Sequence, residues 1–273
     1  MQKTAVITGA GGVLCSAFAK ALAADGWQTA LLDINREAVE AVAQEIRQAG
    51  GQAMAVQANV LDKEDLERAA QKVQEAWGDC DLLINGAGGN NPRGTTSSEV
   101  FSALDLDDPE KTSFFDLDPQ GVRFVFDLNF LGALLTTQVF AKSMVKRGGN
   151  ILNISSMNAF RPLTKIPAYS AAKAAVSNFT QWLAVHFAPC GIRVNAIAPG
   201  FFVTNQNRDL LYDKDGNPTP RTEKILSQTP MGRFGEAEEL LGTLRFLVDD
   251  TASGFITGIV IPVDGGFSAY SGV

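Results

Sequence analysis

The sequence is poor in the residues on which metal centres and disulfide frameworks depend, with three cysteines and one histidine among 273 residues. Cys15, Cys80 and Cys190 have no metal-ligand spacing, and their odd number argues against a set of disulfides, which favours a reducing, cytoplasmic location. His186 lies in a helical pattern typical of a structural role, which excludes any Ser-His-Asp hydrolase that does not depend on it. The acidic run 105–110 is irregularly spaced, so we expect solvated charge and no metal.

Positive charge is also scarce, since 23 Lys and Arg stand against 30 Asp and Glu, for a formal net charge of −7. This balance argues against a nucleic-acid partner, whose phosphates require clustered Lys and Arg. Apolar runs of membrane-spanning length are lacking and the N-terminus enters a strand directly, so we expect neither a membrane partner nor a targeting segment. Hydrophobic residues, at 45%, are numerous enough for a sizeable core.

Hydrophobic patterning predicts strands and helices that alternate along the chain. Apolar, β-rich runs predict about seven strands, at 4–8, 27–33, 52–57, 81–85, 150–154, 192–197 and 258–262. Helical periodicity predicts the intervening helices, at 16–24, 36–49, 63–77, 122–146, 169–188 and 236–248. This alternation indicates an α/β fold, a doubly wound Rossmann-type parallel sheet with helices on both faces, in a single domain over 1–273.

Two stretches are too long for ordinary connections. The first loop segment, at about 86–121, follows the fourth predicted strand, and the second loop segment, at about 200–235, follows the sixth. Ligands of such sheets bind beyond the carboxyl ends of the strands. We therefore interpret both segments as substrate-binding loops.

A glycine cluster after the first strand has the composition of a nucleotide-binding turn. Gly9, Gly11 and Gly12 allow backbone N–H groups and a helix N-terminus to face a pyrophosphate. Asp33 ends the second strand, where a carboxylate can accept hydrogen bonds from an adenosine ribose and repel a 2′-phosphate. The pattern favours NAD over NADP, and the nearby Arg36 leaves NADP open.

Six short motifs follow one another along the chain: TGAGG at 8–12, NGAG at 85–88, DLNFLG at 127–132, YSAAK at 169–173, RVNAIAPG at 193–200 and VDGG at 263–266. A serine, Ser156, precedes Tyr169 of the fourth motif by thirteen residues. With these motifs the chain resembles the short-chain dehydrogenase/reductase family over essentially its whole length. The resemblance implies hydride transfer with a bound nicotinamide cofactor.

The resemblance also implies roles for individual residues. Tyr169 would donate or accept the proton, with Lys173 as its electrostatic partner. Ser156 would bind the reacting oxygen, and Asn129 would anchor a water relay behind the lysine. The implied NAD site contains Gly9, Gly11, Gly12, Val13, Leu14, Asp33, Asn59, Val60, Asn85, Gly86, Ala87, Tyr169, Lys173, Pro199, Gly200 and Thr204.

The sequence departs from the family pattern at two points of this NAD site. Val13 and Cys15 occupy the later glycine positions of the usual TGxxxGxG loop, so we expect Gly12 to allow the close approach of the pyrophosphate. Asn59 replaces the aspartate that often lies beside the adenine, and we expect its amide oxygen to accept from the adenine amino group.

The high pKa of tyrosine explains why a lysine beside Tyr169 would be useful. A free tyrosine titrates near pH ~10, which is too high for efficient base catalysis at neutral pH. Lys173 follows Tyr169 by four residues, on the same helical face, and we expect its ammonium to favour the phenolate. The hydroxyl of Ser156 can donate to a carbonyl oxygen as charge develops there.

The two loop segments resemble the D-mannonate oxidoreductase (fructuronate reductase) branch of the family, which implies NADH-dependent interconversion of D-fructuronate and D-mannonate. A sugar acid requires a cation for its carboxylate and hydrogen-bonding groups for its hydroxyls. Arg93, Asn158 and Arg161 are the preferred substrate residues, with Arg161 or Arg93 expected to pair with the carboxylate. Further polar candidates in these loops are Asn90, Asn91, Lys165, Asn205, Gln206, Asn207 and Arg208.

Other functions use the same catalytic residues. A gluconate-type dehydrogenase or another polyol or keto-acid reductase, and a 3-oxoacyl reductase, would differ in the loops alone. A nucleotide-sensing protein without chemistry would be expected to lose Tyr169 or Lys173, and both are present. The family commonly forms tetramers through equivalent helices and the C-terminal segment, so a homotetramer is expected.

Overall fold

The computed structural model describes residues 2–204 and 208–272, so the candidates Asn205, Gln206 and Asn207 lie outside the described residues. The strands are β1 (Thr4–Thr8), β2 (Gln28–Asp33), β3 (Gln52–Gln57), β4 (Leu82–Asn85), β5 (Gly149–Ile154), β6 (Ile192–Pro199) and β7 (Val260–Val263). Within the described ranges these seven strands form one sheet, in the order β3-β2-β1-β4-β5-β6-β7, and every pair is parallel. The predicted Rossmann-type sheet is confirmed.

Helices connect the strands and cover the sheet. They are α1 (Val13–Ala24), α2 (Arg36–Gln48), α3 (Lys63–Trp77), α4 (Pro119–Phe126), α5 (Gly132–Met144), α6 (Pro167–Phe187), α7 (Arg208–Leu211), α8 (Pro220–Ser227), α9 (Leu241–Val248) and α10 (Asp250–Ser253). On one face, buried side chains of α1, α2 and α9 pack against the sheet. On the other face, those of α3, α5 and α6 do so. Successive residues of a strand point to opposite faces, which is why the apolar runs are continuous.

The order of the strands reverses at β1, which pairs with β2 on one side and with β4 on the other. Connections on the two sides of such a point leave the sheet in opposite directions, so a crevice opens beyond the carboxyl ends of β1 and β4. The glycine cluster follows β1, and the first loop segment follows β4. The topology therefore places both at this crevice.

Local chemistry moves two helix boundaries from their predicted positions. α1 begins at Val13, three residues before the predicted helix, because Gly12 is its N-cap in an extended conformation (φ −82°, ψ 160°). α6 begins two residues early, at Pro167, where a proline in the first turn gives up no helical hydrogen bond.

The two loop segments have more local structure than predicted. The first contains short 3₁₀-helices at Pro92–Gly94, Ala103–Leu106 and Phe114–Asp116, each capped by an Asn or Ser side chain. The second contains α7 and α8, which were not predicted. These helices are short and irregularly spaced, so their periodicity gives little signal in the sequence.

Among the described residues, one helical segment is long and apolar enough to cross a membrane by length and composition alone. It is the continuous helix Pro119–Met144, of 26 residues, with a mean hydropathy of 1.4 over its best window. Half of that window is buried inside the fold. Core helices covered by a sheet and neighbouring helices have the same composition, and this one packs on α3 and β4.

Candidate active site

Ser156 and Tyr169 meet where β5 and α6 come together. Ser156 follows β5 with an extended backbone, and its Oγ accepts a hydrogen bond from the backbone N–H of Asn158 at 3.2 Å. Tyr169 lies in the first turn of α6, where the Ser156 hydroxyl is near enough to lower the pKa of its phenol. The structure thus brings together the two side chains that are predicted to hold a reacting oxygen.

Lys173 lies one turn beyond Tyr169 and is 4% exposed. Its Nζ donates to the carbonyl oxygen of Ile154 at 2.8 Å and lies 5.7 Å from the centroid of the Tyr169 ring. Burial disfavours the charged ammonium and lowers the pKa of Lys173 to about 8. This cation is therefore held close to its neutralisation point at physiological pH.

The pKa of Tyr169 differs in direction from the expectation. We expected the ammonium of Lys173 to lower it, but burial raises the pKa above its ordinary value of 10, and the hydrogen bond from Ser156 opposes this only in part. Desolvation outweighs the effect of Ser156 because the phenolate form of Tyr169 would lose its hydration in the site. The tyrosine is therefore a neutral phenol at neutral pH, which is a proton donor.

Asn129 lies in a π-helical turn, Asp127–Leu131, between α4 and α5. Its Nδ2 donates to the carbonyl oxygens of Gly89 (2.7 Å) and Val125 (2.8 Å), and its Oδ1 accepts from the N–H of Gly89 (3.3 Å). A π turn interrupts the regular backbone ladder, and such turns are common at functional sites. A Cβ at Gly88 would lie 2.6 Å from Asn129 Oδ1 and 3.1 Å from Lys173 Nζ, so both groups face the same glycine.

A ladder of buried polar contacts, which the sequence analysis did not identify, joins β5 to α6. Asn153 Nδ2 donates to Thr180 Oγ1 at 2.8 Å, and Ser155 Oγ and Ser177 Oγ are 2.7 Å apart. The bond from Lys173 to Ile154 continues the same row toward Tyr169. Polar residues in an otherwise apolar strand and at helical spacing in α6 were the available signal. The ladder fixes the rotation of α6 against β5. A rotation would leave buried polar groups without hydrogen-bond partners, which is costly in free energy.

The glycine turn after β1 has the backbone features of a pyrophosphate site. Gly9 has a φ of +67°, and a Cβ there would lie 2.9 Å from the backbone of Ala87. Gly12 caps α1 without any side-chain hydrogen bond, so the first N–H groups of this twelve-residue helix have no side-chain acceptor. The half-buried Val13 and Leu14 form the first turn of α1. A helix N-terminus of this kind suits an anion.

Asp33 is fixed beside that turn at the end of β2. Its Oδ2 accepts from the N–H of Gly11 at 3.0 Å, and its Oδ1 accepts from the N–H of Asn35 at 2.9 Å. A Cβ at Gly11 would lie 3.1 Å from the carboxylate, which explains the second glycine. The negative charge stands where a ribose would bind, while Arg36 is exposed.

Cys15 fills the place that the family pattern gives to a glycine. It is buried, and a Cβ at Gly86 would collide with its Sγ at 2.2 Å, so the thiol packs on the glycine after β4. Burial raises the pKa of Cys15 to about 12, so the side chain is a small apolar spacer and not a thiolate. Cys15 thus keeps α1 packed against the end of β4 without the glycine of the family pattern.

The side chain of Asn85 points into the interior. Its Nδ2 donates to Thr137 Oγ1 at 2.9 Å and to Asn153 Oδ1 at 2.8 Å, which occupies both amide hydrogens. The turn after β4 is stabilised by Thr8, whose Oγ1 accepts from the N–H groups of Gly86 (3.0 Å) and Ala87 (3.2 Å). Only the backbone after β4 lines the crevice here, and Thr8, the first letter of TGAGG, was missed by the sequence analysis.

Asn59 and Val60 follow β3. The Oδ1 of Asn59 accepts from the N–H of Leu61 at 3.0 Å, so the oxygen expected to bind adenine already stabilises its own turn. Val60 is buried, and a Cβ at Gly132 would lie 2.9 Å from its Cγ2. Because Leu61 uses one lone pair of the Asn59 oxygen, only the second lone pair is left to accept from an adenine amino group.

The end of β6 forms the other side of the crevice. Pro199 pairs with Val263 in the sheet, and the N–H of Gly200 donates to the carbonyl oxygen of Val263 at 2.9 Å. A Cβ at Gly200 would lie 2.5 Å from the Cα of Asp264, so only glycine fits. Thr204 is half-buried at the end of the first described range.

The three predicted substrate residues are placed very differently. Arg93 pairs with Asp118 at 2.9 Å and is largely exposed, and Arg161 is exposed with its Nε donating to the carbonyl oxygen of Ser268 at 3.1 Å. Asn158 is 5% exposed, and its Oδ1 has no hydrogen-bond partner in the described structure. Of the three, Asn158 alone presents an unsatisfied polar atom beside Ser156.

Residues outside the crevice add little chemistry. Groups of three or more His, Cys, Asp or Glu side chains with metal-binding geometry do not occur among residues 2–204 and 208–272. His186 is exposed on α6, and its ring stacks on Trp182 with centroids 4.5 Å apart. This is a structural contact, as the helical pattern predicts.

Comparison with known proteins agrees with this geometry. The family model described as short chain dehydrogenase matches residues 3–215. An "Uncharacterized oxidoreductase" from Haemophilus influenzae is 62% identical over 273 residues, covering 100% of this chain and 95% of that protein. The "Uncharacterized oxidoreductase UxuB" of Bacillus subtilis is 56% identical, covering 99% of this chain and 96% of that protein.

A solved structure is similar over the whole chain. It is described as a "putative D-Mannonate oxidoreductase from Haemophilus influenza" with bound NAD. The TM-score is 0.95 at 61% sequence identity, and the match covers 99% of this chain and 96% of that one. The similarity extends through both loop segments, where residues specific to a substrate are expected.

Proposed function

The chain belongs to the short-chain dehydrogenase family, and from this premise we propose that it is an NAD(H)-dependent oxidoreductase that interconverts D-fructuronate and D-mannonate. The observation that carries the proposal is the full-length similarity, at 61% identity, to the chain described as a "putative D-Mannonate oxidoreductase" with bound NAD. The contacts among Ser156, Tyr169, Lys173 and Asn129 support the class of reaction.

The residues of the crevice fit an NAD cofactor. The uncapped N-terminus of α1 would hold the pyrophosphate, and the carboxylate of Asp33 would hold the adenosine ribose. A 2′-phosphate would be repelled by Asp33, so NAD is preferred to NADP. When bound, the cofactor supplies or accepts the hydride.

The side chains supply the proton and the polarisation. The neutral phenol of Tyr169 donates its proton to the carbonyl oxygen as the ketone is reduced. The hydroxyl of Ser156 donates a second hydrogen bond to that oxygen and stabilises the developing charge. The ammonium of Lys173, under the ring, stabilises the phenolate that remains, and Asn129 lies beside it at Gly88 for resupply of the proton.

The substrate is placed between the two loop segments. The unpartnered Oδ1 of Asn158 supports a role in binding a hydroxyl of a polyol chain, because a buried acceptor gains most from a donor. Arg161 and Arg93 remain candidates for contacts at the outer end of the site, although both side chains are exposed and already bonded.

We also propose a cytoplasmic homotetramer. The free thiols Cys15, Cys80 and Cys190 support a reducing location. Exposed Trp182 and Val185 on α6 support burial of this helix face against another copy.

The direct test is a spectrophotometric assay of the purified protein. D-fructuronate with NADH should give the highest kcat/KM in a panel that includes 5-keto-D-gluconate and a 3-oxoacyl thioester, and NADPH should be used poorly. Turnover of the thioester without turnover of the keto-sugar acids would replace the proposed substrate by an acyl one.

A matched pair of tyrosine variants controls the assay. Tyr169→Phe should lose about 100-fold or more of kcat, which is the usual contribution of a general acid, while its NADH affinity by fluorescence stays unchanged. Tyr270→Phe, which removes a phenol that is exposed, should behave as the wild type. Equal turnover by Tyr169→Phe would place the chemistry elsewhere.

A further inference from the structure

The first turn of α6, which carries Tyr169, is where the first and second loop segments meet. A Cβ at Gly94 would lie 3.6 Å from the Cβ of Ala168, so the first segment packs on this turn. The N–H of Thr96 donates to the carbonyl oxygen of Lys165 at 2.9 Å. Glu99 of the same segment pairs with Lys224 of α8, which brings the second segment to the same place.

Two cations at this junction have no partner among the residues that the structure describes. Arg221 lies three residues before Lys224, and neighbours at this spacing share a helix face. Arg221 and Lys165 are half-buried, and neither side chain forms a hydrogen bond or ion pair with any residue in the described ranges. A half-buried charge without a partner is costly unless a ligand or another charge compensates it.

The backbone at Lys165 is also unusual. Its φ is +71°, the only positive value for a non-glycine residue in the described parts of the chain. A left-handed lysine is strained, and such strain is concentrated at binding sites. The helix that follows has no side-chain cap, so the partial positive charge at the start of α6 adds to that of Lys165.

The positive charges of Lys165, Arg221 and Lys224 all act on the carboxyl group of Glu99. The hydrogen bond from Lys224 lowers the pKa of Glu99, and the positive charges of Lys165 and Arg221 lower it further. Three cations are therefore near enough to act on the Glu99 carboxylate, which pairs with one of them, Lys224. The surplus positive charge suits an anionic group of a ligand.

We propose that Lys165 and Arg221 bind the carboxylate of the substrate, an assignment that rests on the proposed keto-sugar acid activity. Arg93 and Arg161 are less suited, because Arg93 is neutralised by Asp118 and Arg161 is exposed and bonded to the C-terminal segment. The two loop segments each contribute to holding this site, since Glu99 and Lys224 join them.

The spacing agrees with the chemistry of the substrate. In D-fructuronate the carboxylate and the ketone are separated by three hydroxyl-bearing carbons. Lys165 precedes Tyr169 by four residues, in the turn that leads into α6 at Pro167. A ketone at Tyr169 would leave its carboxylate within reach of the cations, and the hydroxyls would lie between them.

The test compares neutral and charge-retaining variants of the full-length protein. Arg221→Gln and Lys165→Asn should each raise KM for D-fructuronate about tenfold or more, with kcat and NADH affinity little changed, because a charge-assisted hydrogen bond is lost. Asn is chosen at 165 because it tolerates a left-handed backbone. Arg221→Lys and Lys165→Arg should keep most of the affinity, and Lys214→Gln, at an exposed cation of the second loop segment, should have a KM within about twofold of the wild type.

The outcomes separate this inference from the proposed function. A wild-type protein without NADH-dependent turnover of D-fructuronate overturns the proposed function. Normal wild-type turnover with an unchanged KM in Arg221→Gln and Lys165→Asn overturns only the carboxylate assignment. A rise in KM for Lys214→Gln that matches those variants would also reject it, since the loss of any positive charge from the loop would then have the same effect. The charge-retaining pair covers the case in which a neutral variant does not fold.

Discussion

Lys173 shows how burial changes the chemistry of a single residue. The chain holds its ammonium between the carbonyl oxygen of Ile154 and the ring of Tyr169, with little access to solvent. In water a lysine is charged well above pH 8, but here desolvation lowers its pKa to about 8. The charge that catalysis requires is therefore present below that pH and is lost above it.

The first prediction at this scale is a pH dependence. In ketone reduction with NADH, kcat/KM should fall as the pH rises through about 8, because Lys173 loses its proton there. Tyr169 cannot cause this limb, since its pKa is raised above 10. A rate profile from pH 6 to 10 measures the effect, and a flat profile across pH 8 would contradict it.

Gly86 and Cys15 show how one side chain replaces another. The family pattern has a glycine at position 15, and this chain has a thiol that fills the space above the Cα of Gly86. The turn tolerates the larger residue because its neighbour has no side chain. The pair explains how a departure from the glycine pattern leaves the packing of α1 on the sheet intact.

At the scale of elements, the contact between β5 and α6 decides whether the catalytic groups meet. Ser156 follows β5, whereas Tyr169 and Lys173 lie in α6. A small rotation of this helix would therefore move Tyr169 and Lys173 away from Ser156. Apolar packing alone tolerates such rotation, whereas hydrogen bonds are directional. The buried polar ladder therefore acts as a positioning device for the site.

Asn153 tests this ladder. Asn153→Ala should lower the free energy of unfolding by about 1–3 kcal/mol, because Thr180 and Asn85 each lose a buried partner. It should also lower kcat more than it raises KM, since the register of Tyr169 is disturbed and the substrate loops are not. Urea unfolding and steady-state kinetics measure the two effects.

The control for the ladder is Gln181→Ala, a change on the exposed side of the same helix. It should alter stability by less than about 0.5 kcal/mol. If Asn153→Ala were no less stable than this control, the ladder would have no part in holding α6.

The whole molecule has an aromatic face that the monomer leaves uncovered. The rings of Phe179, Trp182 and His186 stack along α6, with Trp182 56% exposed and the neighbouring Val185 78% exposed. A helix that packs on one sheet needs a single apolar face, and this one has a second. That excess is the basis of the proposed tetramer.

The prediction at this scale concerns the assembly. The wild-type protein should have the mass of a tetramer by light scattering, and a Trp182→Glu, Val185→Glu double variant should dissociate to smaller species. Leu104→Glu, at an equally exposed position of the first loop segment, should leave the mass unchanged. A monomeric wild type would contradict the proposal.

The order of elements and the positions of the catalytic motif follow from the sequence alone. Apolar runs and helical periodicity are local properties, and they predict the seven strands and the main helices to within a few residues. The motif around Ser156, Tyr169 and Lys173 is equally local, since fixed spacing along one strand and one helix defines it. The glycine turn and Asp33 follow for the same reason.

The tertiary structure alone decided the pKa values of the site residues and which of the cations are already paired. The pKa of Tyr169 rises because the fold buries it, and no spacing in the sequence records that desolvation. Arg93 pairs with Asp118, whereas Arg221, in an unpredicted helix, forms no ion pair with the residues that the structure describes. Burial and charge pairing depend on residues that are distant in the chain, so they become defined only when the loop segments have packed on α6.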